Sequence, residues 1–149
     1  MVEEAKKKLH DKPAPPVFPL STVHVMDAHS LEFPAGSFDA VVDTFGLCSF
    51  EDPVVVLREM SRVCKEDGRL LLLEHGRGSY GWINDILDSN AARHAHSWGC
   101  IWNKDIEELV RQELEVVSIS RWHFGTTYII EAKPRKKVVV DKDELIAPA

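Results

Sequence analysis

The chain has 149 residues, which fits one domain with one sizeable core. Its 44% hydrophobic and 28% charged content is that of a soluble globular protein. With 24 acidic against 18 basic residues the net charge is −6, which argues against a general nucleic-acid binder and gives no reason to expect binding to an anionic membrane surface.

In chain order, Val2 to Leu9 has helix-forming composition, and Pro13, Pro15, Pro16 and Pro19 then mark a connector. Val23 and Val25 predict a short strand over Val23 to Met26, ending at Asp27. Ser37 to Phe45 predicts a second strand. Its run Ala40-Val41-Val42 suits a strand covered on both faces. Asp52 as N-cap and Pro53 at the first position start a helix carrying Val56, Leu57, Met60, Val63 and Cys64. Gly68 is its predicted left-handed stop. Leu70 to Leu73 reads as a buried strand leading into Glu74-His75. From Gly81, the residues Ile83, Ile86, Leu87, Ala91 and Ala95 form a helical stripe. Asn103 or Asp105 caps a further helix with Ile106, Leu109 and Val110. Leu114 to Trp122 and Tyr128 to Ala132 are two strands joined through Phe124-Gly125, a link short enough to make them antiparallel. The expected division is a domain over residues 1–134 and a polar, disordered tail over 135–149.

Three widely spaced cysteines, Cys48, Cys64 and Cys100, suggest no disulfide framework and favour a reducing compartment. His94-x-His96-x-x-x-Cys100, with His75 or His123 as further ligands, prompts a metal reading. Its spacing matches no standard zinc pattern, and histidines two apart face different sides of a helix, so no metal is expected. Trp82, Trp98, Trp102 and Trp122 read either as an apolar acceptor pocket or as packing of the late helices, the latter for at least half of them. No apolar run approaches the roughly 20 residues of a bilayer span.

Asp27-Ala28, followed by Leu31-x-Phe33-Pro34-x-Gly36-Ser37-Phe38-Asp39, resembles the middle of class I S-adenosylmethionine-dependent methyltransferases. VVDTFGLCSFEDP and LREMSRVCKEDGRLLLLEHGRG resemble the next two motifs of that superfamily. Within it, the likeness is to methyltransferase type 11, the ubiquinone/menaquinone C-methyltransferases and their mitochondrial methyltransferase-like relatives. The resemblance implies an α/β, partial Rossmann-like fold with a mostly parallel sheet and one antiparallel strand near the C-terminus. It implies S-adenosylmethionine as cofactor and a small-molecule, quinone-like or other methyl acceptor. Asp27 and Ala28 would hold adenine, Thr44 and Phe45 would border the transferred methyl, and His75 could be a general base. An intracellular location, cytoplasmic or mitochondrial, is expected.

The superfamily's glycine-rich turn, of G-x-G-x-G type, follows the first strand and lets backbone approach the cofactor. The glycines here stand at 36, 46, 68, 76, 78, 81, 99 and 125 and form no such turn. The chain therefore reads as a truncated domain without its first two strands. An open edge near Val23 to Met26 would invite pairing, so a domain-swapped homodimer or a missing complementary half is expected. The chain alone is expected to be inactive, and the alternative function is a remnant acting as a binding or assembly module.

Overall fold

A computed structural model describes residues 22–135 and Lys7. Apart from Lys7, the predicted helix at Val2 to Leu9 lies outside the described residues, as do the proline connector and the tail beyond 135. The described elements are β1 (Phe38–Thr44), α1 (Pro53–Val63), β2 (Cys64–His75), α2 (Gly81–Trp98), α3 (Ile106–Glu113), β3 (Leu114–Trp122) and β4 (Thr127–Pro134). The sheet has the order β1-β2-β4-β3. β1 and β2 are parallel, and β4 runs antiparallel to both of its neighbours. This is the expected α/β arrangement, with one antiparallel strand near the C-terminus.

Local chemistry accounts for the helix starts. Asp52 Oδ1 accepts from Val54 N at 3.1 Å and Val55 N at 3.2 Å, with Pro53 at the first helical position where its missing N–H costs nothing. At α3 the cap is Asp105, whose Oδ1 accepts from Glu108 N at 3.1 Å. α1 does not end at Gly68. It ends at Val63, and Cys64 turns extended (φ −76, ψ 141) and enters β2 directly. Gly68 serves another purpose, since a Cβ there would meet Cys64 Sγ at 2.6 Å and Asp39 O at 2.8 Å. The left-handed glycine stop belongs to α2, at Gly99 (φ 68).

The strand predicted over Val23 to Met26 does not form. A strand exists only through a ladder partner, and β1 pairs with β2 alone among the described strands. The chain after Asp27 is tied to α1 instead. Arg62 donates to Phe33 O and Leu31 O, each at 2.8 Å, while Glu59 Oε2 accepts from Leu31 N at 3.0 Å.

Side chains alternate across the sheet, and α1 and α3 cover one side of it. Leu70 and Leu72 of β2, with Ile130 and Ala132 of β4, pack under Val56, Leu57 and Met60 of α1 and Ile106 and Val110 of α3. On the opposite side Val42 is 64%, Leu71 43% and Ile129 49% exposed. Register aligns these residues, because Val42 pairs with Leu71, and Ile129 with Leu73 next along β2. The expectation that β1 is covered on both faces is thus corrected. α1 and α3 lie on the same side of the sheet, and α2 has no fully buried residue. Its predicted stripe is half-buried at Ile83, Leu87, Ala91 and Ala95, while Ile86 is exposed.

The two faces make a direct prediction. Leu72→Ala should cost about 3 kcal/mol in urea unfolding, the usual range for a buried leucine, whereas Leu71→Ala should cost less than about 1 kcal/mol. Equal losses would mean that the second face is also covered in solution.

Candidate functional site

The parallel strands β1 and β2 finish on the same edge of the sheet, the edge at which ligands sit in open α/β folds. Beyond Thr44, Phe45 adopts a left-handed backbone (φ 56), uncommon for a bulky residue and a mark of a constrained position. Its N–H donates to Leu73 O at 2.8 Å, and its ring centroid lies 5.4 Å from that of His75. The Asp27 turn reaches the same loop. Ala28 packs against the core, and the His29 ring meets Phe50 edge-on at 6.0 Å. Asp27 Oδ1 accepts from His29 N at 2.9 Å and from His29 Nδ1 at 2.8 Å. Those hydrogen bonds hold its carboxyl below the usual aspartate range, so it is anionic and exposed to solvent. Phe45 and His75 thus meet at this edge, and the Asp27–Ala28 turn is linked to the loop after β1 through His29 and Phe50.

Two acids close the same strands from within. Glu74 is completely buried and Asp43 half-buried. One oxygen of each, Asp43 Oδ2 and Glu74 Oε2, has no other partner, and the two carboxyls bond to each other. Two carboxylates cannot face one another in a dry site, so one proton lies between them. Burial, then the Asp43 charge, push Glu74 up to about 8, which assigns that proton to Glu74. Glu74 Oε1 also accepts from Gly46 N at 3.3 Å. Gly46 passes so close to Asp43 that a Cβ would stand 2.4 Å from Oδ1. Sequence reading missed this pair. Its signal was an acid at or just past the end of each of two adjacent apolar strand runs.

A third group lies beside it. Cys48 in the loop after β1, His75 at the end of β2 and Cys100 just after the Gly99 cap bring their Sγ, imidazole nitrogen and Sγ atoms within 4.8 Å of one another. His75 Nε2 is 2.7 Å from Cys100 Sγ. Burial, then the charge of His94, lower His75 from its ordinary value and keep it neutral. Burial, then the Cys48 thiol, push Cys100 up to about 12. The loops are fastened by Ile101 N donating to Cys48 O at 2.9 Å, and by Lys104 Nζ donating to Leu47 O and Phe50 O at 3.1 and 2.8 Å.

The set His94, His96 and Cys100 does not assemble. His94 stacks on Trp102 at 3.8 Å and bonds Cys100 O through Nδ1, while His96 faces solvent. His123 bonds Thr127 Oγ1 in the β3–β4 hairpin. Of the four tryptophans, Trp102 is half-buried and donates to Leu87 O, whereas Trp82, Trp98 and Trp122 are exposed. The packing reading therefore fails for three of them.

A parallel pair of strands whose carboxyl edge carries a left-handed aromatic and buried acids is an α/β frame of the kind in which open sheets place their ligands at that edge. A family model described as a methyltransferase domain matches residues 1–72. The chain is 51% identical over 109 residues to the mitochondrial methyltransferase OMS1 of Saccharomyces cerevisiae, covering 72% of this chain and 23% of that protein. It is 43% identical over 74 residues to a demethylmenaquinone methyltransferase of Thermotoga maritima, covering 50% of this chain and 28% of the relative. A SAM-dependent methyltransferase of Methanosarcina mazei shares the fold, with a TM-score of 0.64 at 17% identity over 89% of this chain and 76% of that one. The chain belongs to the class I S-adenosylmethionine-dependent methyltransferase superfamily. It spans under a third of the length of each of the two curated relatives named.

The Asp43–Glu74 pair predicts a pH dependence. Because the folded value of Glu74 is about 8 against an ordinary 4.5, the folded chain binds more protons than the unfolded chain between them. Its stability is full below that window and falls as pH rises through it. Glu74→Gln, which keeps a donor toward Asp43, should flatten this fall in urea melts taken from about pH 5 to about pH 9. An unchanged slope would assign the proton elsewhere.

Proposed function

We propose that this chain is the acceptor-side portion of a methyltransferase domain and forms a working site only when the glycine-rich portion of such a domain covers its open face. The exposed face formed by Val42, Leu71 and Ile129 carries this reading. A contiguous apolar patch marks a surface made for contact. Among the described strands β1 pairs only with β2, and its other edge lies where further strands would pair. A longer form of the chain, a second copy or a separate complementary half would each serve.

The residues present fit two ends of S-adenosylmethionine. Asp27 with Ala28 would hold the adenine end, the carboxylate accepting from the amino group and the small side chain admitting the ring. Thr44 and Phe45 would border the methionine end. When bound, the cofactor supplies a methyl group activated on a sulfonium. The chain's share is orientation and exclusion of water, which can account for most of such a rate enhancement. His75 is neutral, and since Nε2 faces Cys100, a proton from the acceptor would be taken at Nδ1. An apolar, quinone-like acceptor is supported by the name of the Thermotoga relative and by the exposed Trp82 and Phe124 rings, which meet edge-on at 6.0 Å. A mitochondrial location rests on the name of the yeast relative. Without the covering portion, the chain acts as a binding or assembly module.

Calorimetric titration with S-adenosylhomocysteine tests this reading. The isolated chain should show no micromolar binding, whereas the chain combined with a glycine-rich amino-terminal portion should bind. In that complex Asp27→Ala should weaken binding roughly tenfold, about 1.4 kcal/mol. Tight binding by the monomeric chain alone, or none of it lost in Asp27→Ala, would sink the proposal.

A further inference from the structure

We propose that Cys48, His75 and Cys100 form a binding site for a thiophilic divalent cation, with Zn2+ the best match. Their donor atoms come from three separate elements and converge to within 4.8 Å of one another. A tetrahedral zinc with sulfur at about 2.3 Å and nitrogen at about 2.0 Å sets donor separations of roughly 3.5 to 3.8 Å. The cluster reaches that geometry by adjustments of about an ångström. The 2.7 Å contact between His75 Nε2 and Cys100 Sγ opens to admit the ion, and the wider separations draw in.

The site is built rather than accidental. Cys48 is fixed through its own carbonyl, which accepts from Ile101 N, the residue after Cys100, so two ligand loops are joined by one backbone hydrogen bond. Cys100 O accepts from His94 Nδ1, whose ring is held flat on Trp102. Lys104 Nζ pins the carbonyls of Leu47 and Phe50 on either side of Cys48. His75 is positioned by the β2–β4 ladder, opposite Thr127. Such outer contacts orient metal ligands and strengthen binding.

Two sulfurs and one imidazole form a soft donor set, which selects zinc over magnesium or calcium. Both cysteines are free, and on binding each thiol gives up its proton to solvent, leaving two thiolates on the dication with no change in oxidation state. Three protein donors leave one of four positions for water or an external ligand, on the edge beside Phe45. The inference rests only on this chain's side chains and does not need the cofactor reading, but with the ion on Nε2 the neutral His75 carries its proton on Nδ1, so a zinc-loaded chain would not use His75 as the base.

Cobalt is the spectroscopic probe. The reduced, metal-free 149-residue chain should bind one equivalent of Co2+ with a thiolate-to-metal charge-transfer band and intense tetrahedral visible bands, and Zn2+ should displace it. Cys48→Ser and Cys100→Ser should each weaken binding at least about tenfold, while Cys64→Ala, which lies outside the cluster, should not. On the unsubstituted chain, zinc X-ray absorption should show two sulfurs at about 2.3 Å and nitrogen at about 2.0 Å, a result that does not depend on a variant folding. Absence of the charge-transfer band at stoichiometric cobalt overturns the proposal, as does a zinc shell of oxygens alone. So does a band lost as fully in Cys64→Ala as in Cys100→Ser, or a Cys48–Cys100 disulfide that persists under reductant and excludes the metal.

Discussion

β2 pairs with a strand on each side and turns Leu70 and Leu72 toward α1 and α3, and the placement of the site residues follows from that contact. Because β1 is parallel to β2, their ends meet on one edge, and the loops that carry Phe45, Cys48 and His75 emerge together. Because α1 lies on the covered side, Arg62 and Glu59 of that helix can hold the chain from Leu31 to Phe33, and the Asp27 turn is brought against the β1 loop. A single buried face thus organises an edge drawn from several segments of the sequence.

The same constraint leaves the other side open. A sheet that buries one face has half of its apolar pattern unused, and Leu71 and Ile129 are the visible remainder. An apolar remainder of this kind marks a contact surface. The buried Asp43–Glu74 pair sits at the ligand edge, and a protonated glutamate there keeps the interior free of a second charge. Polar groups of this kind are retained in a core when they set the geometry around them, here the path of Gly46 and the turn after it.

The order of elements was legible in the sequence from Ser37 onward, because it rests on local rules. Asp52-Pro53 starts a helix wherever it occurs, and Leu70 to Leu73 cannot be exposed on both faces of a stable chain. The errors arose where a rule needs a partner. Val23 to Met26 has strand composition but no ladder neighbour. Gly68 has the residue type of a helix stop but is required by its closeness to Cys64 and Asp39. The tryptophans look like core residues by type, yet Trp82 and Trp98 are exposed on α2, which buries no residue, and Trp122 is exposed at the end of β3.

Sequence by itself determined the α/β class and the family, since motif order and strand periodicity are properties of the chain read in one dimension. Only the tertiary structure decided which side chains touch. Cys48, His75 and Cys100 share no spacing that marks a ligand set, and Asp43 and Glu74 are far apart in the chain. Each group exists because parallel pairing of β1 with β2, and the return of the chain at Gly99, carry distant residues to one edge. Proximity across strands is a product of packing, which no local pattern encodes.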